Sequence, residues 1–335
     1  MSRDNTLARC EIAVLVDAET GEPDDAGRFV LERGVMEWQV VQTLERAERS
    51  VCIVPFDPEI TPTVEKLRSL KPRLVFNLTE WVSGNRRLDS AIAGVLEMMN
   101  LRYTGAGPEG MQIARDKALA KQVVADLGIT VAPHVIVNGG RPDVRSLAFP
   151  LIVKPQFGDG SDEIGKGSLV RTERSLQRRI ESIRKRTHEP LMCEQFVAGR
   201  DLFVALLGNE PEVMPPVELV VGRKGSGAPQ FSTSRVKNSD AYGAHWRITY
   251  READLPEEVR ARVTDSSRKI FAALKLRDYA RIDYRLTPGN ELVFLEANPN
   301  PDLTRNTFGR DRCFAGVPYP ELISTIVQAA LERPR

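Results

Sequence analysis

The first third of the chain alternates short apolar runs with helical patterns. The runs are rich in β-branched and aromatic residues and cover 11–16, 51–56 and 73–78. Residues 35–48 and 89–99 instead repeat apolar side chains at the spacing of an amphipathic helix. Strands that alternate with helices predict βαβ units, because parallel neighbours need a crossover connection. This part of the chain therefore predicts an α/β fold with a parallel sheet.

The rest of the chain predicts more strands and helices. One long helix is expected from Pro108, which suits a first turn, to Leu127, with Gly128 as its stop. The other predicted helices are 173–187, 256–275 and 319–333, and the predicted strands are 134–137, 150–155, 191–197 and 201–207. Residues 211–250 lack a clear period, and a stretch of that length is expected to be either disordered or a functional lid.

Composition excludes several classes of protein. The chain has 335 residues and a formal net charge of +1, so its charge gives no reason to expect a nucleic-acid or membrane partner. Its four cysteines lie far apart, which favours reduced thiols over disulfides or a zinc site. The three histidines are scattered, and the polar N-terminus does not resemble a signal peptide. The expected location is the cytoplasm.

Two segments near the C-terminus predict a hairpin with paired carboxylates. Residues 280–286 and 292–298 read as strands around a four-residue turn over 288–291. In that register Thr287 faces Leu292, and Asp283 faces Glu296. Carboxylates directly opposite each other repel unless a positive charge lies between them.

A magnesium ion is the expected positive charge. Mg²⁺ takes a few carboxylate and amide oxygens and leaves its other positions to water and phosphate. Asn298 shares a strand face with Glu296 and adds a neutral oxygen, while Arg281 shares a face with Asp283. The alternative is a surface hairpin whose charges are merely solvated.

A glycine-rich stretch at 152–168 predicts a phosphate site. Glycines allow backbone N–H groups to approach phosphates, and Lys154 at the end of an apolar strand supplies a point charge. The Walker pattern GxxxxGK[ST] is absent from this stretch. An ordinary hairpin with a solvated lysine remains the alternative.

A connector at 193–201 and a helix lysine give weaker signals. Phe196 and Val197 could flank an adenine ring, and Asp201 could accept hydrogen bonds from ribose hydroxyls. Lys117 lies in a predicted helix, where a lysine usually belongs to a solvated face.

Taken in order, these motifs resemble the ATP-grasp superfamily, and within it the D-alanine–D-alanine ligase-like enzymes. The resemblance spans roughly residues 72–330. The motifs are FNLTE (76–80), YTGAG with ARDKALAK (103–121), FPLIVKP (149–155), EQFVAGRD (194–201), PPVEL (215–219), RIDYR (281–285) and LEANPNP (295–301). The implied fold is ATP-grasp with an N-terminal Rossmann-like domain. The expected division is 1–103, a central subdomain at 104–190 and a C-terminal subdomain at 191–335.

The resemblance also implies roles for individual residues. Lys117 and Lys154 would contact ATP phosphates, and Ser161 would lie in the loop above them. Glu194, Phe196 and Val197 would hold adenine, and Asp201 would take the ribose position. The remaining implied roles are magnesium ligands at Asp283, Glu296 and Asn298, the acyl-phosphate arginine at Arg281 and the lid lysine at Lys237.

The implied chemistry joins a small-molecule carboxylate to an amine through an acyl phosphate. ATP and Mg²⁺, with Mn²⁺ as a substitute, are the expected cofactors. A kinase and a non-catalytic nucleotide-binding module are the alternatives. The oligomeric state is left open, with a homodimer as one candidate.

Three features depart from the D-alanine ligases. The Ser-x-Glu pattern expected after the first strand is missing, Glu163 replaces a loop glycine, and Asp302 replaces a glycine after the metal asparagine. These departures predict an acceptor other than D-alanine. The alternative is that Asp302 only caps the following turn.

Overall fold

The computed structural model describes residues 10–334 apart from several short stretches. The positions outside it are 57–58, 83, 141, 158–163, 224, 226–227, 234, 237–238, 306–313 and 315. The described residues form three larger sheets, one parallel and two antiparallel, and one small two-stranded hairpin.

The first sheet is parallel, as predicted, with the order β4-β1-β5. Its strands are β1 (Ile12–Asp17), β4 (Val51–Phe56) and β5 (Leu74–Asn77), and its helices are α1 (Met36–Arg46), α2 (Ile60–Leu70) and α3 (Asp89–Met98). Every residue of β1 is buried, because its alternate side chains enter two different cores. The short hairpin of β2 (Gly21–Pro23) and β3 (Phe29–Leu31) follows β1 and was not predicted.

The predicted helix at 108–127 is in fact two helices, so that prediction was wrong. They are α4 (Pro108–Arg115) and α5 (Lys117–Asp126), separated by Asp116 in an extended conformation. The Asp116 carboxylate accepts hydrogen bonds from the backbone N–H groups of Ala118 and Leu119, at 3.0 and 3.1 Å. This side chain therefore caps α5 and ends the continuous helix, which an apolar pattern alone cannot reveal.

The second sheet is antiparallel with the order β6-β9-β7-β8. Its strands are β6 (His134–Val137), β7 (Leu151–Pro155), β8 (Leu169–Val170) and β9 (Leu191–Gln195), and helix α6 (Glu173–Arg184) packs against it. The charged helix and the three longer strands were all predicted from their patterns.

The third sheet is also antiparallel, with the order β13-β12-β10-β14-β15 and β11 beside β10. Its strands are β10 (Arg200–Leu207), β11 (Glu212–Val213), β12 (Val217–Val221), β13 (Ile248–Glu252), β14 (Tyr279–Leu286) and β15 (Leu292–Asn298). Leu202, Val204 and Leu206 of β10 pack with the core around helix α8 (Glu257–Ala273). The alternate side chains of β10 join the core of the first sheet, together with the last helix, α9 (Tyr319–Glu332).

The stretch at 211–250 contains more regular structure than its sequence suggested. Strands β12 and β13 pair there, and helix α7 (Asp240–Trp246) precedes β13. The predicted role of this stretch as a lid stays a prediction, since several of its positions lie outside the described residues.

A buried ion pair joins the C-terminal helix to the third sheet and the first. Arg333 Nη1 lies 2.8 Å from both carboxylate oxygens of Asp278, and Arg333 Nη2 donates to the carbonyl oxygen of Tyr103 at 2.9 Å. Gly105 N donates to the same carboxylate at 2.8 Å. Gly105 has φ +89°, and a side chain there would collide with Asn300, so glycine is required at this junction.

The three sheets occupy 12–77, 134–195 and 200–298. The predicted domain boundaries near residues 103 and 190 stay predictions. No helix in the described part of the chain is long and apolar enough to cross a membrane.

Candidate active site

A cleft between the second and third sheets brings most of the predicted site residues together. The cavity volume of the cleft is about 90 Å³, and residues from both sheets line it. The predicted residues among those that line it are Lys154, Glu194, Phe196, Val197, Asp201, Asp283 and Glu296. The glycine-rich stretch, the connector at 193–201 and the carboxylate hairpin, which were identified separately in the sequence, therefore all contribute residues to one cleft.

The paired carboxylates lie where the sequence placed them. Asp283 on β14 is directly opposite Glu296 on β15, and Arg281 is opposite Asn298. Asp283 and Asn298 are buried, and Glu296 is half-buried on the cleft wall. The hairpin therefore brings one carboxylate on β14 opposite a carboxylate on β15, with an amide two residues further along β15.

The predicted turn of this hairpin was wrong by one residue. Thr287 faces Glu291 rather than Leu292, because its N–H donates to the Glu291 carbonyl at 2.9 Å and the loop holds only three residues. Asn290 takes the left-handed conformation this loop needs, with φ +62°. A bulge at Leu295 then shifts the register back, so the facing of Asp283 and Glu296 survives.

Arg281 also supplies positive charge beside the carboxylates. Its Nε and Nη2 atoms donate to the two oxygens of Asp283 at 2.7 and 3.1 Å. Both side chains are buried, so this bidentate ion pair is shielded from solvent. The sequence analysis expected a magnesium ion to relieve the repulsion between Asp283 and Glu296. Arg281 supplies part of that positive charge.

Lys154 ends β7 and pairs with Glu194 on the neighbouring strand β9. Lys154 Nζ lies 2.7 Å from Glu194 Oε2, and both side chains are buried. Burial alone would raise the pKa of Glu194, but the charges of Lys121 and Lys154 lower it to about 2. Glu194 is therefore ionised and engaged with lysines, while its predicted contact with adenine stays a prediction.

Asp201 lines the cleft and is held by two partners that the sequence did not assign. Arg285 Nη1 lies 3.0 Å from one carboxylate oxygen, and Ser232 N donates to the other at 2.9 Å. Ser232 comes from the 211–250 segment, so part of the predicted lid forms a wall of the cleft.

Aromatic rings close the same wall. Phe196 and Phe231 have ring centroids 6.0 Å apart, and the Arg285 guanidinium lies 5.7 Å from the Phe196 ring centre. Phe231 was missed because its stretch shows no strand or helix period. Arg285 was quoted within the motif RIDYR (281–285) but received no role.

The other predicted site residues are not among those that line the cleft. Lys117 is the first residue of α5 and is buried; its backbone N–H donates to the carbonyl oxygen of Gln156, just after β7, at 3.2 Å. Arg281 and Asn298 face each other two residues further along the hairpin, on the same strand face as Asp283 and Glu296. Ser161 and Lys237 fall outside the described residues.

The comparison with protein families decides the identity of this arrangement. The family model described as D-ala D-ala ligase C-terminus matches residues 123–328, more than half of the chain.

The chain belongs to the D-alanine–D-alanine ligase family.

Individual relatives agree with this assignment. D-alanine–D-alanine ligase A of Chromobacterium violaceum is 31% identical over 263 residues, which cover 76% of this chain and 68% of that protein. An uncharacterized Sinorhizobium fredii protein, y4sG, is 29% identical over 310 residues, or 88% of this chain and 87% of that protein. This ligase therefore joins a carboxylate to an amine at the expense of ATP, as predicted.

The fold agrees as well. The crystal structure of a Bacillus anthracis D-alanine–D-alanine ligase complexed with ATP superposes with a TM-score of 0.72. The superposition covers 96% of this chain and 97% of that chain, at 18% sequence identity. The predicted ATP-grasp fold is confirmed.

The oxygen donors of this ligase fit magnesium. Within the described residues, no group of three or more His, Cys, Asp or Glu side chains could hold a metal ion. Two carboxylates and an amide match an ion that completes its shell with water and phosphate.

Asp302 has a local structural role in this ligase. Its Oδ1 accepts hydrogen bonds from the backbone N–H and the hydroxyl of Thr304, at 2.9 and 2.6 Å. This capping interaction agrees with the alternative in which Asp302 stabilises the turn. The expected preference for an acceptor other than D-alanine stays a prediction.

Proposed function

We propose that this ligase activates the carboxylate of an amino acid or small peptide as an acyl phosphate, in a magnesium-dependent reaction at the cleft between the second and third sheets. The observation that carries the proposal is the facing of Asp283 and Glu296 in the cleft that Lys154 also lines. Oxygen ligands and a phosphate-binding cation in one cleft suit a nucleoside triphosphate.

The nucleotide would lie along the cleft with its base against Phe196 and Val197. Asp201 would accept hydrogen bonds from the ribose hydroxyls, because its side chain lines the same cleft. Lys154 would contact the phosphates, and Lys117 and Ser161 would contribute from the α5 terminus and the glycine-rich loop. Glu194 would support this site through Lys154.

Asp283, Glu296 and Asn298 would hold the magnesium ion near the terminal phosphates. The ion, when bound, neutralises phosphate charge and orients the transferred phosphoryl group. Arg281 would stabilise the charge that develops on the acyl phosphate, because its guanidinium is already fixed by Asp283. Lys237 would approach the transferred phosphate from the segment predicted to be a lid.

The reaction then has two balanced steps. A carboxylate oxygen of the donor attacks the γ-phosphorus of ATP. The bond between that phosphorus and the oxygen that bridges it to the β-phosphorus breaks, and ADP leaves. The amine nitrogen next attacks the acyl carbon, inorganic phosphate leaves, and the nitrogen loses a proton. The protein supplies positioning and exclusion of water, because water would hydrolyse the acyl phosphate.

A screen of substrate pairs tests this proposal. Formation of ADP and release of phosphate are both measured with ATP, Mg²⁺ and pairs drawn from D-amino acids, L-amino acids and short peptides, with D-alanine included. Mass spectrometry then identifies the product of each active pair. A new amide supports the proposal, whereas a phosphate ester would indicate a kinase, and phosphate release without any coupled product would contradict it.

A further inference from the structure

Lys121 is a completely buried lysine beside the cleft. It lies on α5 and is 0% exposed. Its Nζ atom donates to the carbonyl oxygen of Phe294 at 3.2 Å and lies 3.5 Å from Glu194 Oε1. An unpaired ammonium would be very costly to bury at such a position, so these partners are required.

The partners of Lys121 come from two different sheets. Glu194 belongs to β9 of the second sheet, whereas Phe294 belongs to β15 of the third, two residues before Glu296. The Lys121 ammonium also lies 5.5 Å from the centre of the Phe294 ring. Lys121 therefore links the strand that carries Glu194 to the strand that carries a predicted metal ligand.

Glu194 is shared between two lysines. Its Oε1 faces Lys121 at 3.5 Å and its Oε2 faces Lys154 at 2.7 Å. Two ammonium groups and one carboxylate carry a net charge of +1. Without Lys121, the carboxylate would pair with Lys154 alone, and this part of the cleft would be neutral.

We infer that Lys121 is a positioning residue: it engages Glu194 from behind, so that Lys154 presents a net positive charge to the nucleotide phosphates. The inference rests on the proposed contact of Lys154 with phosphate and extends it to a residue that touches no ligand. The pKa of Lys121 agrees with an ammonium group that is ionised at neutral pH. Burial lowers the pKa of Lys121 to about 8, even though Glu194 acts to raise it.

Substitution of Lys121 separates a charge effect from a packing effect. Lys121→Met keeps the length and apolar stem of the side chain and leaves Glu194 paired with Lys154. Adding Glu194→Gln returns the net charge to +1 without restoring Lys121. Lys269→Met makes the same change at a lysine that is 55% exposed on α8 and serves as the matched control.

The measurement is the ratio of two dissociation constants, adenosine over ADP, from calorimetry with each protein. The ratio reports the contribution of the phosphates, because contacts to adenine and ribose contribute to both ligands. The ratio should fall about tenfold in Lys121→Met, equivalent to about 1.4 kcal/mol of phosphate binding. In the double variant the ratio should return to within about threefold of wild type, because the net charge of the cluster is again +1. In Lys269→Met the ratio should not change.

Several results would overturn the inference. An unchanged ratio in Lys121→Met would remove the link to phosphate, and an equal fall in the double variant would assign Lys121 a purely structural role. If circular dichroism shows that Lys121→Met is unfolded, Glu194→Gln alone decides: the inference requires a ratio at or above wild type, and a lower ratio contradicts it. Wild-type protein that binds neither ligand would instead overturn the proposed function, and this inference with it.

Discussion

Arg281 and Asp283, two residues apart on β14, form a bidentate ion pair with distances of 2.7 and 3.1 Å. Side chains two residues apart on a strand share a face, so the Arg281 guanidinium lies beside the Asp283 carboxylate. The pair holds the Asp283 carboxylate in front of Glu296. The proposed metal site is therefore preorganised, which favours charge stabilisation in the transition state.

The metal site gives the first prediction. Glu296→Gln should lower ligase activity at least about 100-fold with the fold intact, because a bound metal contributes several kcal/mol of charge stabilisation. Glu291→Gln, at an exposed position next to the turn of the same hairpin, is the control and should retain activity. Phosphate release is measured for both variants and for wild type in EDTA. Full activity of wild type in EDTA would rule out the metal assignment.

The break between α4 and α5 gives a prediction about stability. Asp116→Ala removes the cap of α5 and should lower the free energy of unfolding by about 1 kcal/mol. It also removes the acceptor for Gln156 Nε2, which lies 2.8 Å from Asp116 Oδ1 next to β7. Asp126→Ala, at the exposed last residue of α5, is the control. Equal urea midpoints for wild type and Asp116→Ala would show that the cap is unimportant.

The ion pair of Asp278 with Arg333 should be a main link between the C-terminal helix and the rest of the protein. Arg333→Met leaves a carboxylate that is 0% exposed without its cation and should cost about 3–5 kcal/mol. Asp278→Asn combined with Arg333→Met removes both charges and should recover part of that loss. Urea unfolding of the single and double variants measures this. A double variant less stable than Arg333→Met would contradict the account.

Asp17 gives a prediction about pH. Burial, together with the nearby Glu80 and Glu19 carboxylates, raises the pKa of Asp17 from 3.8 to about 6, although the backbone N–H groups of Glu80 and Trp81 oppose the shift. The native state therefore binds this proton more tightly than the unfolded state. The resulting stabilisation is full below pH 3.8 and is lost as the pH rises through about 6.

Asp17→Asn cannot titrate and should gain stability relative to wild type as the pH rises. Between about pH 5 and pH 7.5 this relative gain should be on the order of 1 kcal/mol. Urea unfolding of both proteins at the two pH values measures it. If the stability of Asp17→Asn relative to wild type is higher at the lower pH than at the higher pH, the pKa of Asp17 is not raised.

The sequence was sufficient where a periodic pattern or a spacing rule applied. The facing of Asp283 and Glu296 followed from strand alternation and a short turn, although the turn was wrong by one residue and the bulge at Leu295 compensated. The first sheet followed from its apolar runs, because a buried parallel strand needs them.

The sequence was insufficient where a side chain is placed by remote neighbours. Lys121 was quoted within a motif but received no role, because a lysine on a helix usually faces solvent. Its burial depends on Glu194 and Phe294, which lie far along the chain. Asp116 looked like an ordinary polar residue within a helix, and only its cap geometry shows why the helix ends there.

Isotope transfer tests the central claim most directly. The most active substrate pair is incubated with ATP and Mg²⁺, and the donor carries ¹⁸O in both carboxylate oxygens. An acyl phosphate intermediate predicts that each released phosphate contains one ¹⁸O atom from the donor, in step with amide formation. Amide formation with unlabelled phosphate would contradict the proposed reaction.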